Sequence, residues 1–378
     1  MTKNLVPITQ FLTNFDAARV PVRAVDREPG TIPYLGASGT VDHVAGWTHE
    51  GDYLCISEDG ENLRSRQTPI AWAQRGRFWA NNHVHVLGGV SLERLRFFAA
   101  AVAVTDISGA LTGSTQPKLT QRALDQILIP EFDASAQTAI GEVLGALDDK
   151  IAANLKLEQT SLEYLSARWE TLTSTEVELV DWDSVIETSP RLPKPTSAPY
   201  TFLNMRDLPT GGFSPTEWET RDASSGTRFQ NGDTLLARIT PSLENGKLGF
   251  VDFLAPEEVG TGSTEYIVLR PRIGTPPVLP YLIARTNEFR SFAIPLMSGT
   301  SGRQRLQANS LFDYKIAWPK SNVDLDFFYQ ENESIRQRLT AARDENRVLA
   351  RTRDELLPLL MNGTITVREA EDRTKEVL

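Results

Sequence analysis

The stretch IGEVLGALDDKIAANLKLEQTSLEYLSARWETL, residues 140–172, decides the fold. It contains no proline, and its only glycines are Gly141 and Gly145. Alternating steps of four and three residues from Ile140 pass through Leu144, Leu147, Ile151, Asn154, Glu158, Ser161, Leu165, Arg168 and Leu172. Such a repeat marks a helix that packs along a seam. The same stepping from Phe328 passes through Asn332, Ile335, Leu339, Ala342, Asn346, Leu349, Arg353, Leu356 and Leu360. Each helix, if about 35–39 residues long, spans roughly 50–60 Å. A long helix with one apolar stripe needs a partner, and the other helix of this chain is the obvious one. Asn154 and Asn346 interrupt the stripes. Each reads equally as a solvent-facing position or as a buried lock on register.

Outward from the helices, the chain repeats itself with a period near half its length. Pro33-Tyr34 is echoed by Pro199-Tyr200, and Gly51-Asp52-Tyr53-Leu54 by Gly232-Asp233-Thr234-Leu235. Residues 83–87 (HVHVL) have a counterpart in 265–269 (EYIVL). Ser108-Gly109 and Lys118-Leu119 recur as Ser298-Gly299 and Arg305-Leu306, and residues 127–130 (ILIP) as 316–319 (IAWP). The offsets grow from 166 to 190, as loop insertions require. The common order points to a structural duplication. Each copy has short strands (DYLCIS and VHVLGG in the first, DTLLARI and EYIVLRP in the second), then a helix near 91–104 or 279–293. A Ser/Thr/Gly-rich loop follows (108–118, 298–305), and a short strand ending in proline closes the copy.

The 378 residues are too many for one ordinary core. One cysteine, Cys55, excludes an intrachain disulfide and a Cys-rich zinc site. No apolar run is long enough to span a membrane, and MTKNLVPITQ lacks the apolar segment of a secretion signal. A reduced, cytoplasmic setting is expected.

The net charge of −10 argues at first sight against nucleic acid. Its distribution argues otherwise. Residues 1–130 hold 12 basic and 12 acidic side chains, and residues 181–320 hold 15 of each. The excess acid lies in 131–180 (3 basic, 10 acidic) and 321–378 (9 basic, 12 acidic). The globules are neutral, and their loops carry Arg64, Arg66, Lys118, Arg238, Asn245, Lys247, Arg303, Gln304 and Arg305. Arg and Gln can pair with purine edges, and small hydroxylated loops suit phosphates.

Recognisable catalytic chemistry is missing. No phosphate-cradling Gly-rich loop with a following Lys-Ser/Thr, no Gly-x-Ser-x-Gly elbow and no Asn/Asp-Pro-Pro-aromatic tetrapeptide occurs. His83 and His85 share one face of a strand and read as packed structural histidines rather than a metal pair. No catalytic or metal-binding residue is assigned.

Several longer stretches resemble one family, the specificity subunit of type I restriction–modification systems. Residues 33–44 (PYLGASGTVDHV), 51–63 (GDYLCISEDGENL) and 78–87 (FWANNHVHVL) are similar to one kind of target recognition domain. Residues 232–254 (GDTLLARITPSLENGKLGFVDFL), 262–271 (GSTEYIVLRP) and 299–306 (GTSGRQRL) are similar to another. Residues 140–158 resemble the family's central helix, and 353–367 (RDELLPLLMNGTITV) its C-terminal helix and tail. The resemblance implies an α+β fold: two mixed α/β target recognition domains, separated by two long helices in an antiparallel coiled coil, with an internal pseudo-twofold repeat. The segments are 1–132, 133–175, 176–321 and 322–378. Each globule would read half of a bipartite, asymmetric site on double-stranded DNA, and the helices would set the spacer.

It also implies partners: two modification (methyltransferase) subunits and motor–nuclease restriction subunits, with no membrane. S-adenosylmethionine and ATP/Mg would sit on the partners, with no cofactor in this chain. The expected DNA-binding residues are Ser38, Arg64, Lys118, Arg238, Asn245, Lys247, Arg303, Gln304 and Arg305. Leu144, Leu147, Ile151, Ile335, Leu339, Leu349 and Leu356 are expected on the partner-binding helices. The competing readings are an acidic scaffold or DNA mimic, and a fused enzyme with its own methylation chemistry.

Overall fold

The structure is a computed structural model describing residues 4–195, 198–222, 225–300 and 302–378. The first copy contains strands β1 (Leu5–Pro7), β2 (Thr13–Asn14), β3 (Pro29–Gly36), β4 (Gly39–Val44), β5 (His49–Glu50), β6 (Tyr53–Ser57), β7 (Ala71–Gln74), β8 (Arg77–Ala80), β9 (Val84–Gly88), β10 (Leu111–Thr112), β11 (Lys118–Leu119) and β12 (Leu128–Pro130). The second contains β13 (Val177–Asp181), β14 (Ile186–Thr188), β15 (Tyr200–Leu203), β16 (Glu219–Arg221), β17 (Thr227–Phe229), β18 (Thr234–Ala237), β19 (Leu248–Phe250), β20 (Gly260–Gly262), β21 (Tyr266–Pro271) and β22 (Lys315–Pro319). The helices are α1 (Asn62–Ser65), α2 (Leu92–Val104), α3 (Ala134–Leu172), α4 (Trp182–Val185), α5 (Leu279–Ala284), α6 (Asn287–Ala293), α7 (Asn322–Met361) and α8 (Val367–Lys375). No helix among the described residues is long and apolar enough to cross a membrane.

The chain forms two compact units, Met1–Ile151 with Val348–Leu378, and Ala152–Arg347. The boundary falls inside α3 and α7, so each unit is a globule together with part of both long helices. In the first, one sheet has the order β2-β9-β6-β7 and another β4-β3-β8-β5. In the second the orders are β14-β21-β18-β19 and β16-β15-β20-β17, the same arrangement strand for strand. The parallel pairings recur as well, β3 with β8 and β15 with β20. A two-stranded ribbon joins the start and end of each globule: Leu5 faces Pro130, and Val177 faces Pro319. The sequence echo is therefore a duplication of topology. Its motifs fall on equivalent strands, with Gly51–Leu54 leading into β6 and Gly232–Leu235 into β18.

The apolar run at Leu54-Cys55-Ile56 is continuous because β6 is covered on both faces. Leu54 and Ile56 pack with Phe97 and Phe98 of α2, while Cys55 packs with Leu35 and Phe78 of the other sheet. A strand alternates its side chains, so burial on both faces removes the usual polar positions. The second unit repeats this. Leu236, Ile267 and Leu269 pack with the helices, and Leu235, Tyr266 and Val268 with the other sheet. The expected helix over 279–293 is broken into α5 and α6. Thr286 stops the run by capping α6, its hydroxyl accepting from Phe289 N at 3.1 Å.

The glycines of α3 have a specific use. A Cβ on Gly141 would lie 1.8 Å from the Glu93 carbonyl oxygen, so α2 crosses α3 in direct backbone contact. The two long helices pair antiparallel within each unit. In the first, Ile140, Leu144 and Leu147 share a core with Leu349, Leu356 and Leu360, and Arg353 bonds Asp148 at 2.8 Å. In the second, Leu165 shares a core with Phe328 and Leu339, and Tyr164 donates to Glu331 at 2.8 Å. Asn154 is 7% exposed and donates to Asn346 Oδ1 at 2.9 Å and to Glu345 at 2.6 Å. Of its two readings, the buried polar contact across the seam is the one observed. Downstream, α7 ends at Gly363 (φ +74°), where Thr364 N reaches back to Leu359 O at 2.9 Å.

The residues expected on the partner-binding helices lie in the cores of the two units. Leu144, Leu147, Leu339, Leu349 and Leu356 are at most 3% exposed, and Ile151 and Ile335 are partly buried against the same cores. The apolar stripe holds this chain to itself.

Candidate nucleic-acid interface

The expected contact residues gather at the ends of β6 and β18. In the first unit Glu58 follows β6, its N–H donating to His83 O at 2.9 Å and its carbonyl accepting from Leu119 N at 2.7 Å. In the second, Arg238 N donates to Glu265 O at 3.0 Å and Arg238 O accepts from Leu306 N at 2.8 Å. These bonds make Lys118 and Arg305 equivalent, as the sequence echo requires. Lys118 lies in a small hairpin between β10 and β11, and Arg305 in a turn that bridges back to Ser298.

Chemistry at these equivalent positions differs. Lys118 pairs with Glu58 at 3.0 Å, beside Arg19, which binds the same carboxylate at 2.6 Å. Arg305 is held by both oxygens of Glu265, with Nη2 at 2.7 Å. Arg64 is exposed, and its Nη2 donates to Gly113 O of the hairpin loop at 2.8 Å. Arg238 donates to Gln307 at 3.1 Å, and its Nε is buried without a partner. Lys247 is turned onto the carbonyls of Met205 and Arg206, at 2.7 and 3.0 Å. Gln304 is half-buried, and its carbonyl accepts from Thr240 N at 3.0 Å. Ser38, Asn245 and Arg303 are exposed, and their side chains make no hydrogen bond or ion pair among the described residues. Ser38 belongs to the β3–β4 turn, which Ser57 Oγ at the end of β6 holds through Ala37 O. The structure thus brings Ser38, Arg64 and Lys118 to one end of the first globule. Arg238, Gln304 and Arg305 meet at the matching end of the second, with Asn245 and Lys247 on the adjoining β18–β19 loop.

A buried polar network lies beneath the first hairpin, among residues far apart in the sequence. Buried His85 bonds Asp16 through Nδ1 at 2.6 Å and Leu119 O through Nε2 at 2.8 Å. Exposed His83 bonds Asp59 at 2.6 Å. Both histidines are tied to protein groups, and no group of three potential ligands converges on a metal among the described residues. The available signal was polar residues, Ser57 and His85, inside strands otherwise apolar on both faces. Burial pushes the Asp16 and Glu58 carboxyls up. The His85 contacts on Asp16, and Arg19 and Lys118 on Glu58, outweigh it and hold both below the usual carboxylate range. Carboxyls lowered in this way stabilise the fold fully above their unfolded values, and the contribution is lost as pH falls through the folded ones. Asp16→Asn is therefore expected to flatten the loss of melting temperature between about pH 5 and pH 2. A mutant as acid-sensitive as the parent would show that the network titrates elsewhere.

The topology is used twice, and each copy presents a polar loop cluster at the same strand end and packs with antiparallel segments of the two long helices, which defines a duplicated protein. Residues 6–162 match the family model of the type I restriction modification DNA specificity domain. The matched residues run from β1 into α3, so the first copy with the start of the first long helix is similar to that domain. It is 40% identical over 141 residues to a putative type I restriction enzyme specificity subunit of Haemophilus influenzae, covering 37% of this chain and 36% of that one. It is 34% identical over 95 residues to the specificity subunit of the type I restriction enzyme EcoEI of Escherichia coli, covering 25% and 16% respectively. The matched stretches thus span about a third or less of these relatives' lengths. In fold, the chain is similar to the type I restriction–modification S subunit of M. genitalium, with a TM-score of 0.55 at 12% identity over 95% of this chain and 96% of that one.

Proposed function

We propose that this chain is the DNA-reading subunit of a type I restriction–modification complex, each globule reading one half of a bipartite, asymmetric site. The observation that carries this is the strand-for-strand duplication, which supplies two loop clusters of the same geometry and different chemistry. Lys118 with Glu58 in one copy and Arg305 with Glu265 in the other suit two different half-sites. The antiparallel helices fix the spacer between them. Methyltransferase subunits bring S-adenosylmethionine, restriction subunits bring ATP and Mg, and this chain works in the cytoplasm as a non-catalytic guide.

Methylome sequencing of cells with and without the gene tests the role directly. A bipartite methylated motif that disappears with the gene is expected. Its persistence would exclude the reading. Arg303→Ala removes an exposed guanidinium from the second cluster alone. It is expected to relax or abolish recognition of one half-site, costing about 1–3 kcal/mol there, and to leave the other intact. Equal loss at both half-sites would refute independent readers.

A further inference from the structure

The second unit contains a cavity that the role above does not assign. It has a volume of about 230 Å³ and lies between the β18–β19 loop and the α5–α6 junction. Leu236, Leu243 and Tyr281 line its apolar side, and Arg285 and Arg290 supply its charge. Nη1 of Arg285 is buried and has no hydrogen-bond partner. A buried N–H normally finds an acceptor, and charged donors most of all. Arg290 uses Nη2 on Asn287 at 2.5 Å, and its Nη1 lies over Gly246. A Cβ on Gly246 would come within 2.8 Å of that nitrogen, and the residue has φ +72°, so glycine keeps the approach open. Asn245 and Thr210 complete the rim with polar side chains. Neither guanidinium has a carboxylate within ion-pair distance among the described residues. The facing carboxyl, Glu158, is bound to Phe213 N at 3.0 Å instead.

We propose that this cavity is a phosphate site, in which Arg285 and Arg290 bind the oxygens of one phosphate group. Two guanidiniums converging on a partly desolvated hollow fit a tetrahedral oxyanion far better than a neutral ligand. The phosphate comes either from the backbone of bound DNA or from a free phosphate. The first source rests on the DNA-reading role, and the second does not. Asn245 links the cavity to the recognition cluster, because the same β18–β19 loop carries Thr240, bonded to Gln304 O.

The test uses the full chain and two probes, inorganic phosphate and duplex DNA carrying the mapped motif. The variants are Arg285→Gln, Arg290→Gln and the conservative Arg285→Lys. Arg338→Gln, which removes an exposed arginine from α7 away from the cavity, is the control. Circular dichroism and melting temperature check folding. Saturable phosphate binding is expected in the parent and control, weakened about tenfold or more in both Gln variants and partly restored by Lys. If the phosphate belongs to DNA, the Gln variants also weaken cognate and scrambled duplexes alike and lower the salt slope by about one. If it is a free anion, only phosphate binding falls. Folded Gln variants with unchanged phosphate and DNA affinity would overturn the proposal. A parent chain that binds phosphate but no DNA, alone or with modification subunits, would overturn the DNA-reading role and leave the phosphate site standing.

Discussion

Asp252→Ala is expected to destabilise the second unit by about 3–5 kcal/mol. Asp252 and Arg343 form an ion pair whose side chains are only 2% and 4% exposed. The carboxylate also accepts from Ser214 Oγ at 2.5 Å and from Thr340 Oγ1 at 2.6 Å. Arg343 stands on α7 and Asp252 just beyond β19, so the pair fastens the long helix to the sheet. Truncating the acid leaves the buried guanidinium only the largely exposed Asp344, at 2.8 Å, as counter-charge, and takes one acceptor each from Ser214 and Thr340. The magnitude comes from a buried charge left with only this exposed partner, not from the net worth of the pair. Replacing both partners, Asp252→Leu with Arg343→Met, is accordingly expected to recover most of the loss. Urea midpoints for the two single variants and the double variant form the necessary cycle. A loss below about 1 kcal/mol in Asp252→Ala would mean that water reaches the pair.

The second large effect is expected from the smallest possible change, Gly141→Ala. Alanine gains about 1 kcal/mol of helix propensity over glycine in an exposed helix. Here its Cβ would sit 1.8 Å from the Glu93 carbonyl oxygen and 2.6 Å from the carbonyl carbon. Backbone cannot rotate aside as a side chain can. The variant has to push α2 away from α3, opening the core around Phe97 and Ile140. A net loss of about 3 kcal/mol is expected. Gly145→Ala, one turn on, provides the contrast. Its Cβ would meet Arg96 Nη1 at 2.5 Å, the end of a flexible side chain paired with an exposed Asp149. Losing that pair costs under about 1 kcal/mol, which helix propensity offsets. Thermal unfolding of both variants checks the comparison, and similar losses would contradict the backbone-contact argument.

The candidate interface was only partly legible beforehand. Loop positions 118 and 305 could be matched because Leu119 and Leu306 follow them in both copies and are buried. Their partners could not. Glu58 is distant in sequence from Lys118, as is Glu265 from Arg305, and the acid occupies different strand ends in the two copies. Arg285 and Arg290 carried no signal, because an arginine inside an apolar helical segment reads as an ordinary solvated charge.

The sequence by itself determined the duplication and the two helices. Both depend on local periodicity and repeated turn residues, which survive in one dimension. The seam read from Ile140 and Phe328 is buried within each unit, at Ile140, Leu144 and Leu147 against Leu349, Leu356 and Leu360, and at Leu165 against Phe328 and Leu339, whereas its polar steps Glu158, Arg168 and Arg353 stay partly exposed. It also located the acidity, since charge adds without geometry. The tertiary structure alone decided which groups remain for a ligand. Lys247 spends its ammonium on two carbonyls, and Arg305 is clamped by a carboxylate, whereas Ser38, Asn245 and Arg303 are left open. That choice depends on distances between residues far apart in the chain, where a few ångströms separate an internal ion pair from a free cation.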